Sequence, residues 1–197
     1  MRIIKYGHAC VRLELDEGVI VIDPGEWSEA EALTGADAVL VTHEHSDHVD
    51  AEILADAGIQ VYAPAGANID GLAFIGLRSG ELLTAGGAGI RAVGSRHAAS
   101  YGQGPDCQNL GYIVNESLYH PGDALCHPEQ PIETLFLPMQ ASWLKTSEAI
   151  DFAKHINPDR VIGMHDAQLN DRGIRSVNHW LGQTLEAYRW VPAGTSV

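Results

Sequence analysis

The chain has 197 residues, 45% hydrophobic and 19% charged, which suits one globular domain spanning 1–197 with a sizeable core. Its 12 Lys and Arg stand against 26 Asp and Glu, a formal net charge of −14 that argues against a nucleic-acid partner. Cys10, Cys107 and Cys126 include no CxxC pair, so neither a disulfide framework nor a thiolate zinc site is expected. Reduced thiols, no signal-peptide core and no bilayer-length apolar run lead to the expectation of a cytoplasmic protein without a membrane partner.

Residues 2–23 read as β structure. Ile3-Ile4, Ala9–Leu15 and Val19–Ile22 are aliphatic and β-branched, and Asp16-Glu17-Gly18 predicts a hairpin between the last two. Asp23-Pro24-Gly25 stops the third strand. Ala38–Val41 is short and wholly apolar, as in a central strand buried on both faces. Asp50 can cap a helix that runs to about Ala57 and stops at Gly58. Val61–Ala63 and Ile90–Val93 are further strands, the latter preceded by a Gly86–Gly89 turn. Residues 98–109 read as a pocket-shaping loop, rich in glycine and small polar residues. Gly111–Val114 and Leu118-Tyr119 form a hairpin around Asn115-Glu116, and Thr134–Leu137 is a strand ending at Pro138. Ala149, Phe152, Ala153 and Ile156 mark one face of a helix that Asn157-Pro158 ends. Arg160–Met164 is a strand, and residues 173–187 make a final helix. The order of strands and helices suggests two β-rich halves packed face to face with helices outside.

One stretch dominates the chemistry. Thr42-His43-Glu44-His45-Ser46-Asp47-His48 puts three imidazoles and a carboxylate within six residues. Such donors are costly to bury unpaired, and a divalent ion of the zinc type resolves that cost. Asp23, His97, Asp123 and His165 each lie just past an apolar strand, as the cluster does. Strand ends are where sites assemble, so a shared address argues for convergence in space.

His43-x-His45-x-Asp47-His48 after an apolar strand resembles the signature of the metallo-β-lactamase superfamily. Asp23, His97, Gly122-Asp123 and Gly163-Met164-His165 follow in that family's order. The opening Tyr6-Gly7-His8 and the short chain look most like the small branch of ascorbate-6-phosphate-lactonase-like hydrolases. The resemblance implies an α/β (α+β) fold, a four-layer αββα sandwich with a dinuclear site in a groove. It implies His43, His45 and His97 on one ion, Asp47, His48 and His165 on the other, and Asp123 bridging. Asp23 would then orient a ligand imidazole from behind. The implied cofactors are two divalent ions, zinc favoured and manganese compatible. The implied activity is hydrolysis of a small ester, lactone, phosphodiester or related substrate, an anionic one included, by a metal-bridging hydroxide. Asp47, Asp123 and His8 are the catalytic candidates.

Around this set, Arg96 is a candidate contact for an anionic substrate, Tyr101 for the pocket lining and Trp143 for groove wall or core, while His120 is a candidate support for the ligands and Asp166 either buttresses His165 or faces solvent. His127, His155 and His179 read as surface or packing residues. Two other functions compete: a mononuclear-iron oxidoreductase of the same fold, and a non-catalytic metal-binding protein. The complete second donor set weighs against both. Flavodiiron proteins carry an acidic residue where this chain has His45, which disfavours that chemistry.

Overall fold

The computed structural model describes residues 1–102 and 107–197, and two seven-stranded sheets form its centre. The first sheet contains β1 (Arg2–Lys5), β2 (Val11–Glu14), β3 (Val19–Ile22), β4 (Ala38–Leu40), β5 (Gln60–Pro64) and β6 (Ile75–Leu77). The second contains β7 (Leu82–Ala85), β8 (Ala88–Val93), β9 (Gly111–Val114), β10 (Leu118–His120), β11 (Thr134–Pro138), β12 (Arg160–Met164) and β13 (Tyr188–Arg189). The chain then returns to the first sheet, where β14 (Thr195–Ser196) pairs with β1. The spatial orders are β14-β1-β2-β3-β4-β5-β6 and β13-β12-β11-β10-β9-β8-β7.

Side-chain alternation explains why the sheets face each other. Val11, Leu13, Ile20, Ile22, Ala38 and Leu40 point inward and meet Ile90, Tyr112, Val114, Phe136, Ile162 and Met164 from the second sheet. Their neighbours Cys10, Val21, Val39 and Val41 point outward, under α1 (Ala51–Ala57) and a 3₁₀ turn at Ala30–Leu33. Leu135, Leu137 and Val161 point outward from the second sheet, under α2 (Thr146–Ile156) and α3 (Asp171–Thr184). A period of two on strands buried on both faces yields four layers, the expected αββα sandwich. Each fully buried aliphatic side chain contributes about 1.5–3 kcal/mol, so the two-sided sheets supply the main stabilisation.

Local signals set the boundaries. Asp50 accepts the Ile53 N–H at 3.1 Å to start α1, and Gly58 ends it in a left-handed turn, φ 62°. Asn115 and Glu116 both take positive φ, 48° and 57°, at the start of the three-residue connection 115–117 that joins β9 to β10. The last helix differs from the 173–187 expectation. It begins at Asp171, because Asn170 accepts the Arg172 and Gly173 N–H groups, and ends at Thr184. The chain must then turn to lay Tyr188 beside Val161 in the second sheet. Short strands β6, β7, β13 and β14 complete the sheet edges; their few residues carry little pattern of their own.

Candidate metal centre

Strand direction gathers the site. β1, β3 and β4 run the same way in the first sheet, and β8, β10 and β12 run the same way in the second. Each is followed at its C-terminal end by a site residue: His8, Asp23, the His43–His48 stretch, His97, Asp123 and His165. These segments meet at the C-terminal ends of these strands in both sheets. Their backbone is unusual there. His8, Asp23 and His165 all adopt left-handed conformations, φ 57°, 51° and 60°. Such angles on non-glycine residues cost about 1–3 kcal/mol each and mark places where tertiary structure dictates the turn.

Two glycines make the close approaches possible. A Cβ at Gly25 would lie 2.1 Å from the Asp47 carbonyl oxygen, so only glycine lets the turn after Asp23 pack on the Asp47-His48 backbone. A Cβ at Gly122 would lie 2.4 Å from Asn109 Oδ1, and Gly122 itself has φ 62°. Asn109 is buried and braces this turn: its Oδ1 accepts the Asp123 N–H at 2.9 Å and its Nδ2 donates to the Pro121 carbonyl at 2.9 Å.

The donors fall into three overlapping groups whose ligand atoms lie within 4.8 Å of one another: His43, His45 and His97; His8, Asp47, His48 and His165; and His43, His48 and Asp123. Asp123 sits between the first two. Its Oδ1 is 3.2 Å from His48 Nε2, and its Oδ2 is 3.4 Å from His97 Nε2 and 3.1 Å from His165 Nε2. All the residues of the sequence-derived ligand set are therefore in one place. His45 is exposed and marks the open side, whereas His43 and His48 are fully buried.

The ring nitrogens turned away from the centre are all engaged. His48 Nδ1 donates to Asp23 Oδ2 at 2.7 Å. His97 Nδ1 donates to the Ala98 carbonyl at 2.6 Å, and His165 Nδ1 to the Gln140 carbonyl at 2.5 Å. His43 Nδ1 lies 3.0 Å from Thr42 Oγ1, which in turn donates to Asp23 Oδ2 at 2.7 Å. With those N–H groups turned outward, each ring in its deprotonated form presents an Nε2 lone pair to the centre. His48, His97 and His165 Nε2, together with Asp123 Oδ1, are buried and make no well-directed hydrogen bond despite their short separations. Lone pairs facing lone pairs at this distance repel unless a cation or a proton stands among them. Three imidazoles on one side, and three imidazoles with a carboxylate on the other, make donor sets that could hold a divalent metal ion.

The electrostatics agree. Burial and the neighbouring imidazoles hold His43 well below its ordinary pKa, so that ring is neutral. Burial and nearby His97 also lower His45. Burial alone would raise the Asp47 carboxyl, but the His8 hydrogen bond and facing His48 hold it at about 2. Burial opposes charge on Asp123 too, and His48, His165 and His97 outweigh it, keeping that carboxyl well below the usual range. Both aspartates are thus carboxylates at neutral pH.

Trp143 donates its indole N–H to Asp123 Oδ2 at 3.0 Å and stands edge-on to His97, so it belongs to the site wall. His120 is buried one layer back, with Nε2 on the Ala9 carbonyl at 2.8 Å and Nδ1 accepting the Gly122 N–H at 3.3 Å; it shapes the turn before Asp123. Asp166 faces neither solvent nor the His165 ring; it pairs with buried Lys5 at 3.1 Å. Tyr101 is 96% exposed and forms no wall. Arg96 is exposed beside buried His97. His127 and, on α2, His155 are exposed with tilted rings 4.2 Å apart, and His179 lies beside Trp180 on α3. Of the expected loop at 98–109, residues 103–106 lie outside the described residues. The roles of Thr42, Asn109 and the Gln140 carbonyl are not visible in the sequence, because a polar residue beside a strand end looks the same whether it braces a ligand or meets water.

Two facing sheets with a histidine–aspartate cluster at their strand ends define a protein able to hold divalent metal. The chain belongs to the metallo-β-lactamase superfamily: the family described as "Beta-lactamase superfamily domain" matches residues 2–165. It is 34% identical over 179 residues to Protein Rv0786c of Mycobacterium tuberculosis, covering 85% of this chain and 84% of that one. It is 31% identical over 140 residues to the UPF0173 metal-dependent hydrolase RD1_1994 of Roseobacter denitrificans, covering 60% of each. Among solved structures it resembles Igni18, a metallo hydrolase of Ignicoccus hospitalis, with a TM-score of 0.76 at 23% identity over 100% of this chain and 97% of that one. Among the described residues no helix is long and apolar enough to cross a membrane.

Proposed function

We propose that this metal-dependent hydrolase works with two divalent ions and cleaves a small ester, lactone or phosphodiester. His43, His45 and His97 would hold one ion, Asp47, His48 and His165 the other, and Asp123 both. Asp23 would act from behind, on His48 directly and on His43 through Thr42. The observation that carries this reading is the set of inward, hydrogen-bond-free donor atoms: His48, His97 and His165 Nε2 and Asp123 Oδ1.

Bound ions of this kind supply Lewis acidity and bring the pKa of a water from ~15.7 to about 7. The chain's own residues supply the rest. Asp47 is ionised, lies near the open side and can accept a proton from an attacking water. The Trp143 N–H holds Asp123 in orientation and the indole narrows the groove beside His97. The fully buried rings of His43 and His48 close the floor to solvent.

Metal analysis of protein purified without added metal gives two zinc or manganese ions per chain on this reading; a single iron would favour the oxidoreductase. Asp123→Ala loses metal and hydrolysis together, assayed on a panel of lactones, thioesters and phosphodiesters. Full activity in a folded Asp123→Ala protein refutes the mechanism.

A further inference from the structure

The opening segment of the chain grips the site more closely than its place in the donor set requires. His8 is buried, and its left-handed backbone is held by its carbonyl, which accepts the His165 N–H at 2.9 Å. Its Nδ1 accepts the Ala167 N–H at 3.3 Å. A ring that accepts at Nδ1 carries its proton on Nε2, and His8 Nε2 lies 3.1 Å from Asp47 Oδ2. Trp27 stands edge-on against the ring with centroids 4.9 Å apart. Three residues earlier, Lys5 is buried with its Nζ 3.2 and 3.1 Å from the two oxygens of Asp166. Residues 5–8 are thereby tied to residues 165–167 across the two sheets.

Two roles compete for His8. Its ring nitrogen comes within 4.8 Å of the donors of Asp47, His48 and His165, which would suit a fourth ligand. The Ala167 bond decides against that, because a protonated Nε2 has no lone pair for a cation. We propose that His8 is a positioning residue: its Nε2–H takes one lone pair of the Asp47 carboxylate and fixes the plane of the rest. The affinity of the second ion therefore depends on the N-terminal segment, and that of the first ion does not. The sequence places His8 among catalytic candidates; the hydrogen-bond pattern gives it this narrower task. The inference rests on the two-ion reading above.

The test uses the full chain stripped of metal and titrated with Co²⁺, followed by visible absorption and by competition with a chromophoric chelator. Two backgrounds isolate the sites: His45→Ala leaves the second, His165→Ala leaves the first. In the His45→Ala background, His8→Phe, which keeps the ring and removes the N–H, weakens Co²⁺ binding about 10–100-fold, the usual cost of losing a partner behind a ligand. His8→Gln, whose amide N–H can reach Asp47, recovers most of that loss. In the His165→Ala background neither change alters affinity. Unchanged second-site affinity in His8→Phe overturns the proposal. So does a loss in His8→Gln as deep as in His8→Phe, which would make His8 a ligand. Equal weakening in both backgrounds also overturns it, because that reports a general defect of packing. A parent protein that binds one ion per chain fails the two-ion reading before any change at His8 is made, so the two failures are distinct.

Discussion

Asp23 ties the two candidate ion sites together, and Asp23→Asn tests that tie. The carboxylate is fully buried. Its Oδ1 accepts the Thr42 N–H at 2.7 Å, and its Oδ2 accepts both the Thr42 hydroxyl and His48 Nδ1–H at 2.7 Å. Asparagine keeps the size, tolerates the φ of 51° and preserves the bond from the Thr42 backbone. Its amide nitrogen, however, replaces an acceptor with a donor facing two donors. The simplest relief moves the His48 proton from Nδ1 to Nε2, which removes the lone pair His48 offers to the site. Losing such a partner costs about 10–100-fold in metal affinity, or ~1.4–2.7 kcal/mol. The ion held by His48 should suffer the upper end, because the tautomer itself changes. The ion held by His43 should lose less, because Asp23 reaches that ring only through Thr42 Oγ1, 3.0 Å from His43 Nδ1. Thr42→Val reverses the order, since it removes the hydroxyl behind His43 and leaves the Asp23–His48 bond. Chelator competition in the His45→Ala and His165→Ala backgrounds measures each ion alone. Undiminished affinity at both sites in Asp23→Asn, or a larger loss at the His43 site, would refute the reasoning.

The remaining predictions concern pH and the turn before Asp123. Burial disfavours a charged His48, but Asp123 and Asp23 outweigh it and raise its pKa well above 6.5. Metal-free protein therefore carries a proton there at neutral pH, so metal binding releases it and affinity rises with pH; a calorimetric enthalpy that does not vary with the buffer's ionisation enthalpy contradicts this. Among the perturbed groups, His48 and Asp47 give the stability of the metal-free protein two windows. The raised His48 value stabilises fully below the ordinary 6.5 and that share is lost as pH rises through the folded value. The lowered Asp47 value stabilises above the ordinary 3.8 and is lost as pH falls toward about 2; denaturant titrations across pH should show both slopes, and a flat profile rejects them. Gly122→Ala adds about 1–3 kcal/mol of backbone strain and a Cβ 2.4 Å from Asn109 Oδ1; Tm and metal content should both fall, and an unchanged Tm counts against the turn geometry.

Much of the architecture is legible in the chain. Strand alternation from Val11 to Val41 assigns Leu13, Ile22 and Leu40 to one face and Val21 and Val39 to the other, which is what separates inner core from outer layer. Ligand-type residues at strand ends point to one site, since chemistry needs several side chains on rigid ends. The short edge strands β6, β7, β13 and β14 are less legible, because two to four residues carry too little periodicity.

The sequence by itself determined the candidate donors: His43, His45, Asp47 and His48 are fixed by local spacing, and an apolar strand presents them at its end. Tertiary structure alone decided how those donors are held. Asp23 under His48, Trp143 on Asp123 and His8 on Asp47 are contacts between residues 20 to 39 positions apart. They depend on where the strands end and, for His8 and Asp23, on left-handed turns that no residue type announces. The physical reason is that a ligand's identity resides in its own side chain, whereas its tautomer and aim are set by whatever the fold places behind it.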